Sequence, residues 1–248
     1  MTTRAGHGGA IALDRVSVEL GGRPVLRDLS VRLDQPRIAV IGANGSGKST
    51  FARLLNGLVA PTSGRVAVHG IDVRREAKRI REHVGFVFTN PDAQILMPTV
   101  AEDIALSLRG SGMDRAAVAE RVAAELARHG LADRADQPVY SLSGGQKQLV
   151  ALISVLIREP GLVVADEPTT LLDLGNARRI GDLLMRDVAA QVVVVTHDLD
   201  LAARCDVVLR FADGRLAEAG DPAEVIARYR AVHEDASHGE SAHGETGP

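Results

Sequence analysis

Very little in this chain is aromatic: 2% of 248 residues, with no tryptophan and only Phe51, Phe86, Phe88, Tyr140, Phe211 and Tyr229. That leaves few faces on which nucleic-acid bases could stack. A single cysteine, Cys205, excludes an internal disulfide framework and suits a reducing compartment. Charge of neither sign dominates, since 29 basic and 32 acidic residues leave a net charge of −3. A protein living on nucleic-acid electrostatics carries a larger positive excess. No apolar run approaches the roughly 18 to 20 residues that a membrane span requires. Residues 1–9 are small and polar without an apolar stretch, which predicts a flexible leader and not a signal peptide.

What is present reads as one α/β domain over residues 10–230. Alternating apolar residues between 11 and 33 predict two half-buried strands around Gly21 and Gly22. A buried-type strand at 38–41 precedes a glycine loop and then helical spacing from Phe51 to Leu58. Further strands are expected at 65–69 and 84–88, and helices at 100–108, 115–129 and from Ser143 to about Arg158, where Pro160 stops the helix. Continuous apolar strands at 162–165 and 192–195 flank a helix near 177–189. Residues 231–248 hold four acids, three histidines (His233, His238, His243) and no lysine or arginine, which predicts a disordered tail. The five-residue histidine spacing places those rings on different sides of a helix, so a solvated tail is preferred over a metal site.

The loop Gly42-Ala43-Asn44-Gly45-Ser46-Gly47-Lys48-Ser49-Thr50 has a physical reason at each fixed position. Its glycines let backbone N–H groups turn onto phosphate oxygens, and the helix behind it offers a positive end. Lys48 neutralises terminal phosphates, and the Ser49 hydroxyl suits Mg²⁺, which takes oxygen ligands and keeps several waters. A carboxylate is then required nearby. Asp166 and Glu167, delivered by the strand at 162–165, meet the requirement: Asp166 for the magnesium shell and Glu167 to polarise an attacking water. A second anion site, Ser143-Gly144-Gly145-Gln146, opens a later helix.

With His197 in Val195-Thr-His-Asp198, these motifs resemble the ATP-binding cassette ATPases, and the likeness spans residues 11 to about 229. The resemblance implies a mixed-sheet core with an N-terminal antiparallel β subdomain and an inserted helical signature subdomain at about 95–160. It also implies two cassettes facing head to tail, either two copies of this chain or this chain with a different one, with ATP and Mg²⁺ enclosed by the phosphate loop of one and the Ser143 segment of the other. On the same grounds His197 corresponds to the switch histidine at the terminal phosphate and Asp173 to the aspartate loop at the dimer interface. Three positions depart from the family pattern. Leu20 stands where an aromatic usually stacks on adenine, Leu149 where an arginine is common, and Thr89 where a glutamine usually touches magnesium and the attacking water, with Gln94 five residues on.

The segment Asn90-Pro-Asp-Ala-Gln94 with 98–103 resembles the energy-coupling-factor importers of vitamins and of cobalt or nickel ions. Thr89, Gln146-Lys-Gln-Leu149 and Thr169-Thr-Leu-Leu172 are similar to the biotin-importer type. The resemblance implies a transmembrane T-component and a substrate-binding S-component as partners, on the cytoplasmic face of the membrane, with no nucleic acid. Ile95, Leu96 and Met97 are expected to form an apolar docking surface for the membrane subunit. Two rivals remain open from sequence: a soluble cassette acting on nucleic acid, and a slow nucleotide-gated switch.

Overall fold

The computed structural model describes residues 9–241, with side chains through Val232. The expected leader therefore lies outside the described residues except for Gly9. Strands β1 (Ile11–Leu20) and β2 (Arg23–Leu33) form an antiparallel hairpin that ends at Gly21 and Gly22. Buried Ile11, Leu13, Val16 and Val18 alternate with more exposed neighbours, as a sheet with one face on the core requires. β4 (Ser63–Val68) and β5 (Ile71–Asp72) complete this sheet in the order β2-β1-β4-β5.

The second sheet has six strands in the order β10-β9-β3-β8-β7-β6. They are β3 (Arg37–Gly42), β6 (Val84–Val87), β7 (Leu162–Asp166), β8 (Gln191–Val195), β9 (Val207–Ala212) and β10 (Arg215–Gly220). All pairings are parallel except that of β10 with β9, so the sheet is mixed. Both faces are covered, which is why the central strands read as unbroken apolar runs. Each strand divides its side chains strictly. Ile38, Val40, Val164, Val193 and Leu209 enter the core shared with the antiparallel sheet and α1 (Lys48–Leu55). Ala39, Ile41, Val163, Val194 and Val208 enter the core shared with α3 (Val100–Ser107), α4 (Arg115–Arg128) and α5 (Gly144–Leu156).

The short α2 (Ala77–His83) precedes β6. The helix expected near 177–189 divides into α6 (Leu174–Asp182) and a π-helical turn over Leu183–Asp187. Buried Arg37 ties down the turn and the segment after it: its guanidinium donates to the carbonyls of Met185, Val188 and Ala190 at 3.1, 2.5 and 3.0 Å. The Met185 and Val188 carbonyls, at the end of the helical segment, thereby gain donors. After α7 (Leu199–Ala202), the C-terminal α8 runs over Pro222–Ser241. The sequence led instead to an expectation of a disordered tail from residue 231. Ala231, Glu234, Ala236 and Glu240 are good helix formers, and no proline interrupts them before Pro248. Residues 242–248, with His243, lie outside the described residues. No helix among the described residues is long and apolar enough to cross a membrane.

Candidate active site

The parallel strands deliver the chemistry-bearing residues to their carboxyl edge, where ligands of open α/β sheets bind. β3 ends in Gly42 and α1 begins at Lys48, so residues 42–50 connect strand to helix N-terminus. Gly42 has φ 144°, and a Cβ on it would stand 2.2 Å from the Phe211 carbonyl oxygen of β9. Only glycine fits there. Gly42→Ala is therefore expected to lower Tm by about 10 °C or more through a backbone clash in a forbidden conformation. A thermal melt without nucleotide measures this.

Ala43, Asn44 and Gly45 are exposed at the tip, while Ser46 and Lys48 are buried. The Ser46 hydroxyl has no hydrogen-bond partner among the described residues, a polar group left for a ligand. Lys48 folds over the loop, its Nζ donating to the carbonyls of Gly42 and Ala43 at 2.6 and 2.9 Å. Burial lowers its pKa, with Glu167 and Asp166 opposing the shift. Thr50 follows half-buried in the first turn.

The Ser49 hydroxyl donates to Asp166 Oδ1 at 3.0 Å. Asp166 is buried at the end of β7, and this desolvation raises its pKa despite the Ser49 hydrogen bond and the nearby cations Arg53 and Lys48. Ser49 and Asp166 together offer only oxygen, the donor set of a hard cation, and no cluster of three or more His, Cys, Asp or Glu suited to a metal occurs among the described residues. Mg²⁺ fits such a sparse site, because it retains waters and binds through one or two protein groups plus phosphate.

Glu167 turns sharply out of the strand at φ 54°, unusual for a side-chain-bearing residue, and its N–H donates to Val195 O at 2.9 Å. Its Oε2 accepts from His197 Nδ1 at 2.8 Å, from Thr170 Oγ at 2.9 Å and more distantly from the His197 N–H at 3.4 Å. The carboxylate is thus aimed by two neighbours, and His197 carries its proton on Nδ1. Thr170 was missed in the sequence; its position three residues beyond Glu167, in a turn after a proline, was the available signal.

Thr89 and Gln94 separate clearly. The Thr89 hydroxyl donates to the Asp166 carbonyl at 2.8 Å, beside the carboxylate edge. Gln94 turns away, its Oε1 accepting from Phe88 N–H at 3.2 Å and its Nε2 donating to Ala151 O at 3.0 Å. The 3₁₀ turn over Pro91–Ala93 redirects it toward α5, so it does not stand in at Asp166.

Ser143 caps α5. Its Oγ accepts from the Gln146 N–H, and Gln146 Oε1 accepts from the Ser143 N–H at 2.9 Å, a reciprocal capping box. Ser143 and Gly144 stay exposed. Gly145 packs so tightly on Asn176 that a Cβ would lie 2.2 Å from its Cγ, and Asn176 Nδ2 donates to Asp173, the cap of α6, at 2.8 Å. Residues 143–146 and 171–176 therefore share one surface, on which Leu171 and Leu174 are 66% and 79% exposed. No hydrogen bond among the described residues ties that surface to residues 42–50 of the same chain.

The model of the ABC transporter family matches residues 26–170. The biotin transport ATP-binding protein BioM of Rhizobium etli is 45% identical over 222 residues, covering 90% of this chain and 98% of that protein. The energy-coupling factor transporter ATP-binding protein EcfA1 of Symbiobacterium thermophilum is 43% identical, covering 84% and 75% respectively. Among solved structures, cbiO1 of Clostridium perfringens, part of the transporter complex cbiONQ, superposes with a TM-score of 0.79 at 29% identity, over 90% of this chain and 93% of that one. A dimeric ATP-binding cassette in a post-hydrolysis state with ADP and Pi gives 0.73 at 28% identity, over 86% and 98%. This chain belongs to the ABC transporter ATP-binding family. It binds ATP and is an ATPase.

Proposed function

We propose that this chain is the ATP-hydrolysing subunit of an energy-coupling-factor importer, with biotin as the favoured substrate and cobalt or nickel as the alternative. The observation that carries hydrolysis is the Glu167 carboxylate held by His197 and Thr170 beside the Lys48, Ser49 and Asp166 group. Likeness to BioM over nearly the whole of both chains supports the substrate class.

Residues 42–50 cradle the ATP phosphates through backbone N–H groups, and Lys48 leaves its two loop carbonyls for a phosphate oxygen. Ser49 and Asp166 would hold Mg²⁺, which when bound would neutralise charge on the terminal phosphates. Glu167 takes the proton of the attacking water, and His197 fixes the orientation of the carboxylate while its ring faces the terminal phosphate. Ser143, Gly144 and Gly145, with Asp173, close the pocket from a second cassette; no hydrogen bond among the described residues ties their surface to the phosphate loop of their own chain. Gln146 acts within this group by holding the cap.

A groove of about 390 Å³ beside α3 and α5 receives the transmembrane T-component, whose complex carries the S-component. Leu58, Phe86, Phe88 and Leu106 give it an apolar wall, and Arg81, Arg158, Glu82 and Asp103 place charges of both signs around it. Of the three apolar residues anticipated for docking, Leu96 alone is strongly exposed, at 73%. Ile95 packs against the helical core, and the Met97 N–H is bound to Asp103. Leu96→Asp is expected to reduce recovery of the membrane partner about tenfold or more, since a charge cannot be buried unpaired at an apolar contact. Quantitative co-purification from solubilised membranes measures it, and unchanged recovery contradicts docking at Leu96.

The cassette works on this reading at the cytoplasmic face of the membrane, without nucleic acid. Uptake of labelled biotin, Co²⁺ and Ni²⁺ by cells with and without an active copy of the chain tests the substrate. Biotin uptake that depends on Glu167 supports the reading; co-purification with nucleic acid and no membrane protein contradicts it.

A further inference from the structure

Gln148, in the second turn of α5, is 1% exposed, and its Oε1 has no hydrogen-bond partner among the described residues. Its Nε2 donates to Phe88 O at 3.3 Å, so the carbonyl end of the amide is the one left over. A buried amide oxygen without a donor loses its hydration and regains nothing, which makes such an atom informative. Gln148 lines a cavity of about 120 Å³ walled also by Thr89, Asn90, Lys147, Pro168 and Leu171. This space lies between the start of α5, the loop after β6 and the loop after Glu167.

We propose that Gln148 is a positioning residue for hydrolysis, holding an ordered water that joins it to Thr89. The hydrogen count closes. The Thr89 proton is committed to the Asp166 carbonyl, so its oxygen lone pairs are open to accept. A water in the cavity donates one proton to Thr89 Oγ and the other to Gln148 Oε1. The cavity as a whole is large enough for a water, which needs about one probe sphere of space and two to four polar partners. The Lys147 ammonium, which reaches across the same cavity rim to Asp92 Oδ1 at 2.7 Å, pins the loop a second time to α5.

The consequence is a rigid link from the helix that begins at Ser143 to the strand end that carries Asp166 and Glu167. It rests on the assignment of that strand end as the hydrolytic edge. Because the link touches Asp166 through its backbone and leaves the phosphate loop alone, it sets turnover and not ATP affinity.

The test is a cycle of Gln148→Met, Thr89→Val and the double variant in the full chain assembled with its membrane partner, with MgATP as probe. Methionine keeps the length of the side chain and removes both polar ends. Gln148→Met is expected to lower kcat about fivefold with KM within about twofold, the loss of one neutral hydrogen-bond link. In the Thr89→Val background the same change is expected to do nothing further, since both act through one water. A fully multiplicative double variant, or wild-type kcat in Gln148→Met, overturns the proposal. No hydrolysis by the wild-type complex would instead overturn the assignment of the edge itself. Should Gln148→Met fold poorly, a crystal structure of the wild-type chain decides: electron density for a water bonded to both oxygens supports the link, and its absence refutes it.

Discussion

Glu167→Gln is expected to lower ATP turnover about 10²-fold or more while nucleotide affinity stays within about threefold, the pattern of a lost general base. The change is nearly isosteric, and the amide retains an oxygen to accept from His197 Nδ1 and Thr170 Oγ, so the turn at φ 54° survives. What disappears is the basic lone pair. Lys48, Ser49 and the backbone of residues 42–50 are untouched, so binding through the phosphates persists. Phosphate release in a single turnover, beside equilibrium binding of a fluorescent ATP analogue, separates the two quantities. Unchanged turnover would remove Glu167 from the chemistry.

The second large effect is of the opposite kind. Lys48→Ala is expected to weaken ATP binding about 10²-fold, because the lost ammonium is buried and charge-assisted bonds in such a setting are strong. The two carbonyls it satisfies, of Gly42 and Ala43, also lose their donor, so the loop itself is expected to loosen. Lys48→Arg is not expected to rescue, since a planar guanidinium needs more room than the point charge of a residue that is 7% exposed. Calorimetric titration with MgATP measures both variants. Wild-type affinity in Lys48→Ala, with only kcat reduced, would show that the lysine acts in the transition state alone.

The strands that position this site were legible because their physical situation leaves a strong trace. β3, β7 and β8 are buried on both faces, so their sequences are continuous apolar runs, those of β3 and β7 ending at Gly42 and Asp166. The phosphate loop and the Asp166–Glu167 edge followed from spacing, since phosphate chemistry dictates residue type there. Elements missed in the sequence have weak traces. α2 buries only Ile80 and α7 is four residues long, too short for a helical period, while β10 is an edge strand with only half-buried alternation.

Contacts between distant segments were legible only where phosphate chemistry demanded them, as between Ser49 and Asp166. That Gly145 exists to admit Asn176 depends on two helices meeting across 31 positions, and nothing local encodes it. Whether Thr89 or Gln94 serves Asp166 likewise turned on a three-residue 3₁₀ helix that swings the longer side chain toward Ala151. In the C-terminal segment two signals compete: low hydrophobicity and a lack of cations argue for disorder, whereas alanine and glutamate favour extension of a helix docked by Val225 and Ile226.

Central to the whole account is a pocket completed by a second cassette, and sedimentation of Glu167→Gln with saturating MgATP tests it most directly. The account predicts a shift from one chain's mass to twice that mass, abolished when Ser143→Arg is added to the same chain. A Glu167→Gln protein that stays monomeric at every concentration of protein and MgATP, or a dimer indifferent to Ser143→Arg, would contradict it.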